Sequence, residues 1–400
     1  MASPKDMDCL VRNDASLNCL HLLRPSTDVS PQALVKLIDA LQSNFHIQRV
    51  RVFVPQDFFL EQGNAIDIRE RLFEVVGELP NLEQLKFDSC SGCVPFPVKV
   101  LSRTLVKAKF LRELELWDLK LAVKNAEWDF ELLQQSLQGH AYLQKFTLYN
   151  CQTLHEGLSC TWLDPLLRAL ASAPNLRQLY VTAAAVDSAS SSSLTFSSSA
   201  LEQVCRSTSL EELGLWKFNF NNSQDSFPNI ATEPLTLMAP AIAQSNTMRT
   251  FEFGRCNVNR SSDKALGEML TFNTSLEEFN IHIYDSSDCT LVATAYALEI
   301  KNTTLKRRKL WGLLSRKNQE ALVKMVRNNY SLETCRLLDS DPDISARIDF
   351  YISLNRMGRR KFLLQNSSVK DWIAFFAMTK DLNILFYYLS MKPSLCSLTR

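Results

Sequence analysis

The sequence predicts an α/β solenoid in which one short strand and one helix make each repeat. The strands would form a parallel sheet on a concave inner face, with the helices outside it. Three observations predict this. A six-residue apolar phrase, L-x-x-L-x-L with other apolar residues allowed, recurs eleven times at intervals of 27 to 38 residues. Turn formers precede the phrase, as in "PNL" at Leu82 and Leu176 and "TSL" at Leu210 and Leu276, so each strand starts from a turn. Between phrases run segments with apolar residues on one helical face. A unit of one strand and one helix cannot bury its own apolar face and must stack on its neighbours.

Taken in order, the phrases begin at Leu17, Ile47, Leu82, Leu111, Leu143, Leu176, Leu210, Met248 and Leu276. Two weaker copies follow, Leu305/Arg308/Leu310 and Leu332/Cys335/Leu337. Arg308 stands where a core leucine is expected, and a buried guanidinium without a partner is costly; a local bulge or a carboxylate partner is expected there. The helix after Leu22 is the stretch "SPQALVKLIDALQSNF", with Ser30 as N-cap, Pro31 at the first helical position, and Leu34, Leu37, Ile38 and Leu41 on one face. "DFELLQQSLQGHA", "LDPLLRALASA", "DKALGEMLTFN" and "NQEALVKMVRNN" repeat that pattern. The Ser-rich run Ala183 to Ala200 and the segment Asn219 to Pro234 read as excursions of strand-to-helix loops. Three regions result: a loose segment 1–16, a repeat array 17–340, and a helical cap 341–400. The cap is needed because a last repeat exposes its apolar face. Ser368 with Asp371 reads as a capping box, and Trp372, Phe375, Phe376, Phe386 and Leu389 would cover the final repeat.

On these residues the chain resembles the ribonuclease-inhibitor-like class of leucine-rich repeats, the class with a helix in every repeat. The resemblance implies a horseshoe solenoid with a parallel concave sheet, and it implies that Cys90, Cys151 and Cys256, at the ninth repeat position, bond loop backbone. The other repeats place Leu119, Ala184, Phe218, Tyr284 or Leu313 there, so the strict consensus is not kept. The ending, "FYISLNRMGRRKFLL" and then "LFYYLSMKPSLC", is also similar to the tail of an intracellular group of such proteins from unicellular photosynthetic eukaryotes.

Charge and chemistry narrow the function. With 44 basic and 43 acidic residues the net charge is +1, which gives no global field toward nucleic acid or anionic lipid. No apolar run approaches the roughly 20 residues of a membrane span. The start, "MASPKDMDCLVRND", lacks the basic patch and apolar run of a secretory leader. The expectation is therefore a cytoplasmic protein, the nucleus remaining open, with its 11 cysteines reduced. On the same ground, the six N-x-S/T triplets (Asn221, Asn259, Asn273, Asn302, Asn329 and Asn366) read as coincidences. Cys90-Ser-Gly-Cys93 is a lone C-x-x-C without the second pair a zinc site needs. The five histidines fall in no metal-binding pattern, and no phosphate-cradling or nucleophile motif occurs. No catalytic residue, metal or cofactor is expected. The runs "KRRK" (Lys306 to Lys309) and "GRRK" (Gly358 to Lys361) read as a solvated basic end, with a nuclear signal or nucleic-acid patch as the alternative.

Alternation along each strand sends positions 4 and 6 of the phrase inward and positions 3, 5 and 7 outward. Position 7 is aromatic in five of eleven copies (Phe53, Trp117, Tyr149, Trp216, Trp311), where the chain's 10% aromatic content gives about one. Exposed aromatics mark protein-binding hot spots; aromatics tucked beneath their neighbours would only pack. Positions 3 and 5 are basic early (Arg49, Arg51, Lys86), acidic in the middle (Glu113, Glu115, Glu212, Glu252, Glu278) and basic at the end (Arg307, Lys309, Arg336), with Lys145 as an exception. The reading is a non-catalytic, monomeric protein-binding scaffold. It would hold a protein or peptide on the concave face through Trp117, Tyr149, Tyr180, Trp216 and Trp311, with Glu113, Glu115 and Glu212 setting polarity. The alternative is a regulatory adaptor, such as a GTPase activator with Arg255 or Arg260 on a rim loop, or a ubiquitin-ligase substrate receptor.

Overall fold

The computed structural model describes residues 3–22, 31–54, 64–89, 94–122, 126–154, 163–183, 198–216, 234–256, 260–283, 291–300, 302–311, 314–337, 341–359, 362, 368–379 and 381–392. The excursions expected within 183–200 and 219–234 lie almost wholly outside them, as do Cys90, Cys93 and the Ser30 cap. The chain forms two compact units, Met1–Asn257 and Val258–Arg400, a division that falls inside the expected array 17–340. The architecture is an α/β leucine-rich-repeat solenoid.

In the first unit, eight strands pair in parallel, consecutively along the sheet: β1 (Cys19–Leu22), β2 (Arg49–Phe53), β3 (Gln84–Asp88), β5 (Glu113–Trp117), β7 (Lys145–Leu154), β8 (Gln178–Ala183), β9 (Glu212–Trp216) and β10 (Thr250–Cys256). The register is the one the apolar phrase dictates. Val50, Leu85, Leu114, Phe146, Leu179, Leu213 and Phe251 stand side by side, and so do Val52, Phe87, Leu116, Leu148, Val181, Leu215 and Phe253. Every one of these side chains is buried. They pack against helices α2 (Pro31–Gln42), α3 (Asn64–Glu78), α4 (Val98–Lys107), α5 (Ala126–Gln138), α6 (Leu163–Ala171), α7 (Ser198–Cys205) and α8 (Pro234–Gln244), each helix lying against the next. Truncating one such buried leucine to alanine costs about 2–5 kcal/mol.

Two features of this unit were not anticipated. Segment 1–16, expected to be loose, carries helix α1 (Pro4–Val11), with Ser3 accepting from the Asp6 N–H and Pro4 at the first helical position. Its Leu10 is fully buried and the helix lies against α2, so a single inward leucine ties it down. The second feature is a small parallel sheet of β4 (Val94–Pro97), β6 (Leu119–Ala122) and the C-terminal end of β7. Asp118 and Asn150 make it possible. Each adopts positive φ (54° and 53°), Asp118 just after β5 and Asn150 inside β7 where its register shifts, and the Asn150 amide donates to the Asp118 carboxylate; short polar side chains tolerate that conformation. The sheet buries Phe96, Leu119 and Leu121, and Phe96 closes a ring cluster with Phe73 and Phe87 at centroid distances of 5.0 to 5.5 Å. Pro95 and Pro97 fit because β4 is an edge strand. Cys151, wholly buried, sends its thiol to the Leu116 and Tyr149 carbonyls, the backbone role expected of the ninth position.

In the second unit, β11 (Glu278–Ile283), β12 (Arg307–Trp311) and β13 (Thr334–Leu337) pair in parallel. Helices α9 (Arg260–Phe272), α10 (Val292–Ile300), α11 (Arg316–Asn328) and α12 (Pro342–Arg356) pack in succession. Turns between helix and strand are held by a ladder of buried asparagines. The Oδ1 atoms of Asn273, Asn302 and Asn329 each accept two backbone N–H groups just ahead of Leu276, Leu305 and Leu332. The Nδ2 atoms of Asn302 and Asn329 reach back to the Leu270 and Leu298 carbonyls of the previous repeat. Asn355 continues the ladder, donating to Asn329 and Leu332. The asparagines of three of the six N-x-S/T triplets thus hold structural turns.

The basic runs are solvated as expected at Lys306, Arg307 and Lys309, but not at Arg308 and Arg359. Lys306, Arg307 and Lys309 occupy repeat positions and pair with Glu277 or Glu278. Arg308 is fully buried in a strand of regular register, and its Nε, Nη1 and Nη2 have no hydrogen-bond partner. The expected bulge is missing, and no carboxylate hydrogen-bonds the guanidinium among the described residues; Asp263 acts on it only through space. Burial pushes the Arg308 pKa down; Cys335 and Asp263 pull the other way. In the second run Arg359 is also fully buried, donating to the Val326 and Asn329 carbonyls and lying 4.4 Å over the Tyr330 ring.

Two further helices, α13 (Val369–Met378) and α14 (Leu382–Met391), follow. The Ser368–Asp371 capping box forms. Trp372, Phe375, Ile384 and Tyr388 pack with Phe362 and with Leu354 of α12. Phe386, expected in this cluster, is 74% exposed; on α14 the inward face runs through Ile384 and Tyr388, and Phe386 falls opposite.

Candidate binding surface on the open sheet face

Strand register arranges the outward residues of the first unit in three rows. The position-3 row runs Cys19, Arg49, Gln84, Glu113, Lys145, Gln178, Glu212, Thr250. The position-5 row runs His21, Arg51, Lys86, Glu115, Thr147, Tyr180, Gly214, Glu252, and the position-7 row Phe53, Asp88, Trp117, Tyr149, Thr182, Trp216, Gly254. Trp117 and Trp216 therefore share one row on one face. Neighbouring strands lie about 4.8 Å apart, so side chains in a row touch across strands.

The contacts along these rows form one connected patch over β2 to β7. Arg51 pairs with Asp88 at 2.6 Å and lies over Phe53. Lys86 reaches Asp88 and Glu115 and places Nζ 3.7 Å from the Trp117 ring centre. Trp117 stacks on Tyr149 at 4.5 Å and donates Nε1–H to Glu115. Lys145 closes the network on Glu115 at 2.6 Å and touches Glu113, which accepts from Gln84. Burial raises the Glu115 pKa, but Lys145, Lys86 and the Trp117 N–H outweigh it and hold the carboxylate below its ordinary range. The acidic middle read from the sequence is thus interleaved with Lys86 and Lys145. Beside the patch is a depression of about 210 Å³ whose lining includes Arg49, Arg51, Lys86, Glu113 and Glu115. The Arg49 guanidinium donates to Asn18.

The aromatics farther along lie flat on glycines. Tyr180 pairs in register with Gly214, and a Cβ there would stand 2.4 Å from Tyr180 Cδ1. Trp216 pairs with Gly254, and a Cβ there would stand 2.2 Å from Trp216 Cε3. No larger residue fits beneath either ring. The Tyr180 hydroxyl donates to Glu212 at 2.5 Å. Each ring is half-buried.

In the second unit the same positions give Glu278, Arg307 and Thr334, then Asn280, Lys309 and Arg336, then His282 and Trp311. Trp311 keeps its register on β12, but its side chain lies outside the described residues. Glu278 takes Arg307 at 2.7 Å and Lys309 at 3.4 Å. Burial raises its pKa, and Asn280, Arg307 and Lys309 bring it below the ordinary range. Arg255 belongs to β10, its side chain also outside the described residues, and Arg260 begins α9, so neither stands in a described loop. The described residues contain no cluster of metal-ligating side chains and no helix long and apolar enough to cross a membrane.

No protein family matches the sequence, and no curated protein matches it. Solved structures similar to it include leiomodin-1 actin-binding site 2, which is 19% identical, covering 44% of this chain and 95% of that one with a TM-score of 0.31. The Caenorhabditis elegans tropomodulin C-terminal domain is 15% identical, covering 41% and 96% with a TM-score of 0.31. The complex of Rad7 and Elc1 in yeast gives a match 14% identical, covering 76% and 73% with a TM-score of 0.37.

Proposed function

We propose that this protein is a non-catalytic binding scaffold of the ribonuclease-inhibitor-like repeat class, holding a protein or peptide on the open sheet face of its first unit. The observation that carries the reading is the Lys86–Trp117–Tyr149 stack beside the depression lined by Arg49 and Arg51. Large rings held rigidly, with charges fixed around them, lose little entropy when a partner docks. Tyr180 and Trp216, seated on glycines, extend the surface, and Glu113, Glu115 and Glu212 set its polarity. Cytoplasmic residence is part of the proposal. The buried, bonded amides of Asn302 and Asn329 are incompatible with a glycan at those triplets.

The test is quantitative affinity capture from the native cell with the wild type, Trp117→Ala and Arg49→Glu. The expected result is one partner set that falls at least tenfold with each variant, while circular dichroism and melting temperature stay near wild type. Equal capture by both variants would refute the proposal.

A further inference from the structure

Helix α14 reads "LNILFYYLSM", ten residues without a formal charge. One of its faces is already used. Ile384 and Tyr388 pack into the cluster with Phe362, Trp372 and Phe375, and Tyr387 rests against it. The Tyr388 hydroxyl donates to the Leu354 carbonyl. The opposite face is apolar as well. Leu382, Leu385, Phe386 and Leu389 fall at i, i+3, i+4 and i+7, the spacing of one helical stripe. Leu382 is 77% exposed and Phe386 74%, with Leu385 and Leu389 half-buried beside them. A helix that is apolar all round belongs in an interior, and this one is covered on one side only.

Charges stand just outside the two ends of the helix. Asp381 caps the N-terminus, accepting from the Asn383 and Ile384 N–H groups, and is exposed. Lys392 follows the C-terminus, with Nζ 5.6 Å from the Trp372 ring centre. Between them run about 15 Å of uncharged helix. That order of charge selects the guest. A second copy of the same helix, laid antiparallel across a two-fold axis, sets Asp381 beside the partner's Lys392 at one end and Lys392 beside the partner's Asp381 at the other. Phe386, midway along, then meets the partner's Phe386 near the axis, as a self-complementary interface requires. The helix dipoles are opposed in this arrangement, whereas a parallel pair would set like charges together. The open stripe amounts to roughly 400 Å² per copy, the scale at which an exposed apolar patch marks an interaction site. It is smaller than the about 800 Å² per partner of a standard complex, which places it among weak associations.

We propose that α14 pairs antiparallel with α14 of a second copy of this chain, giving a weak two-fold dimer with a dissociation constant of about 10–100 µM. The proposal departs from the monomer expected of the sequence. It uses residues separate from the sheet-face patch and stands or falls independently of it.

The experiment is sedimentation velocity on the full chain over a range of concentrations, with circular dichroism and melting temperature as controls of folding. The expected result is a wild type that passes from monomer to dimer as concentration rises. Phe386→Asp should weaken association at least tenfold with the melting temperature near that of wild type, because the side chain is exposed in the single chain; Leu382→Asp should do the same. Lys392→Asp and Asp381→Lys each set like charges opposite one another at both ends, and each should weaken association by at least about threefold. An equimolar mixture of those two variants restores an Asp–Lys pair at each end and should associate as wild type does. A wild type that stays monomeric into the millimolar range, or a dimer that Phe386→Asp and Leu382→Asp leave unchanged, would overturn the proposal. So would a mixture that associates no better than Lys392→Asp alone, or a dimer that forms only after residues 393–400 are deleted, since the face would then belong to that segment.

Discussion

Replacing Arg308 by methionine should make the protein more stable. The side chain is completely buried at the core position between Phe279 and Cys335, and none of its nitrogens has a hydrogen-bond partner. Burying a lone cation costs several kcal/mol even after relaxation. Asp263 is the buried carboxylate that acts on Arg308 through space. It does not depend on the arginine, because its oxygens accept the Ala293 and Thr294 N–H groups at the start of α10, where the helix dipole also favours negative charge. Removing the cation therefore strands no anion. Methionine keeps the unbranched apolar stem and forfeits only unsatisfied donors, so the expected gain is about 1–4 kcal/mol. For a cooperative unit of this size that is roughly 2–4 °C in melting temperature per kcal/mol. Urea unfolding of wild type, Arg308→Met and Asp263→Asn, followed by circular dichroism, measures it. If Arg308→Met is less stable than wild type by more than about 1 kcal/mol, and Arg308→Met with Asp263→Asn recovers the loss, the two charges are a working pair and the reasoning above is wrong.

Asn302→Ala should destabilise by about 1–3 kcal/mol for each buried group left unsatisfied, here the Thr304 and Leu305 N–H groups and the Leu270 carbonyl. Asn302→Asp, which keeps the acceptor and loses the donor, should fall between the two in urea unfolding. His140 is buried, which depresses its pKa, and its Nε2 bonds the Ala108 carbonyl at 2.7 Å. The unfolded chain therefore takes up this proton at higher pH than the folded chain does. The corresponding stability is complete above the unfolded value of about 6.5 and is lost as pH falls toward the lower folded value. His140→Asn should remove that part of the pH dependence, and an unchanged stability profile between pH 7 and 5 would contradict the assignment.

The sheet was legible in the sequence because a strand has a period of two. The inward residues at positions 4 and 6 announce themselves as leucines, and the register of eight strands follows from aligning them. What escaped notice depends on partners distant in sequence or on conformations that composition does not encode. "VPFP" carries two prolines and reads against a strand, yet Val94–Pro97 is one because its edge needs no donors and Phe96 fills a gap between Phe73 and Phe87. Asn273, Asn302 and Asn329 were read in the glycosylation frame; in the frame N-x-x-L the same residues mark the turn that starts each strand. Gly214 and Gly254 held a readable signal: a glycine in a strand row directly beside an aromatic is a seat for that ring.

Those glycines bear on how far an aromatic column identifies a binding surface. A ring on an open sheet face has two ways to lower its free energy: cover a neighbouring strand, or wait for a partner. Tyr180 and Trp216 have done the first on one side, with backbone beneath them. Trp117 has done it against Tyr149 and Lys86. Such packing fixes the rings at half burial, and it works for recognition: a side chain already immobilised loses little entropy on docking. The paired charges behave alike. Lys86, Glu115 and Lys145 gain little stability from surface ion pairs, but the pairs hold the groups in one geometry, and fixed geometry is what lets a near-neutral chain discriminate among partners. The same network that lowers the Glu115 pKa should keep this pattern intact well below neutral pH, until the carboxylate protonates.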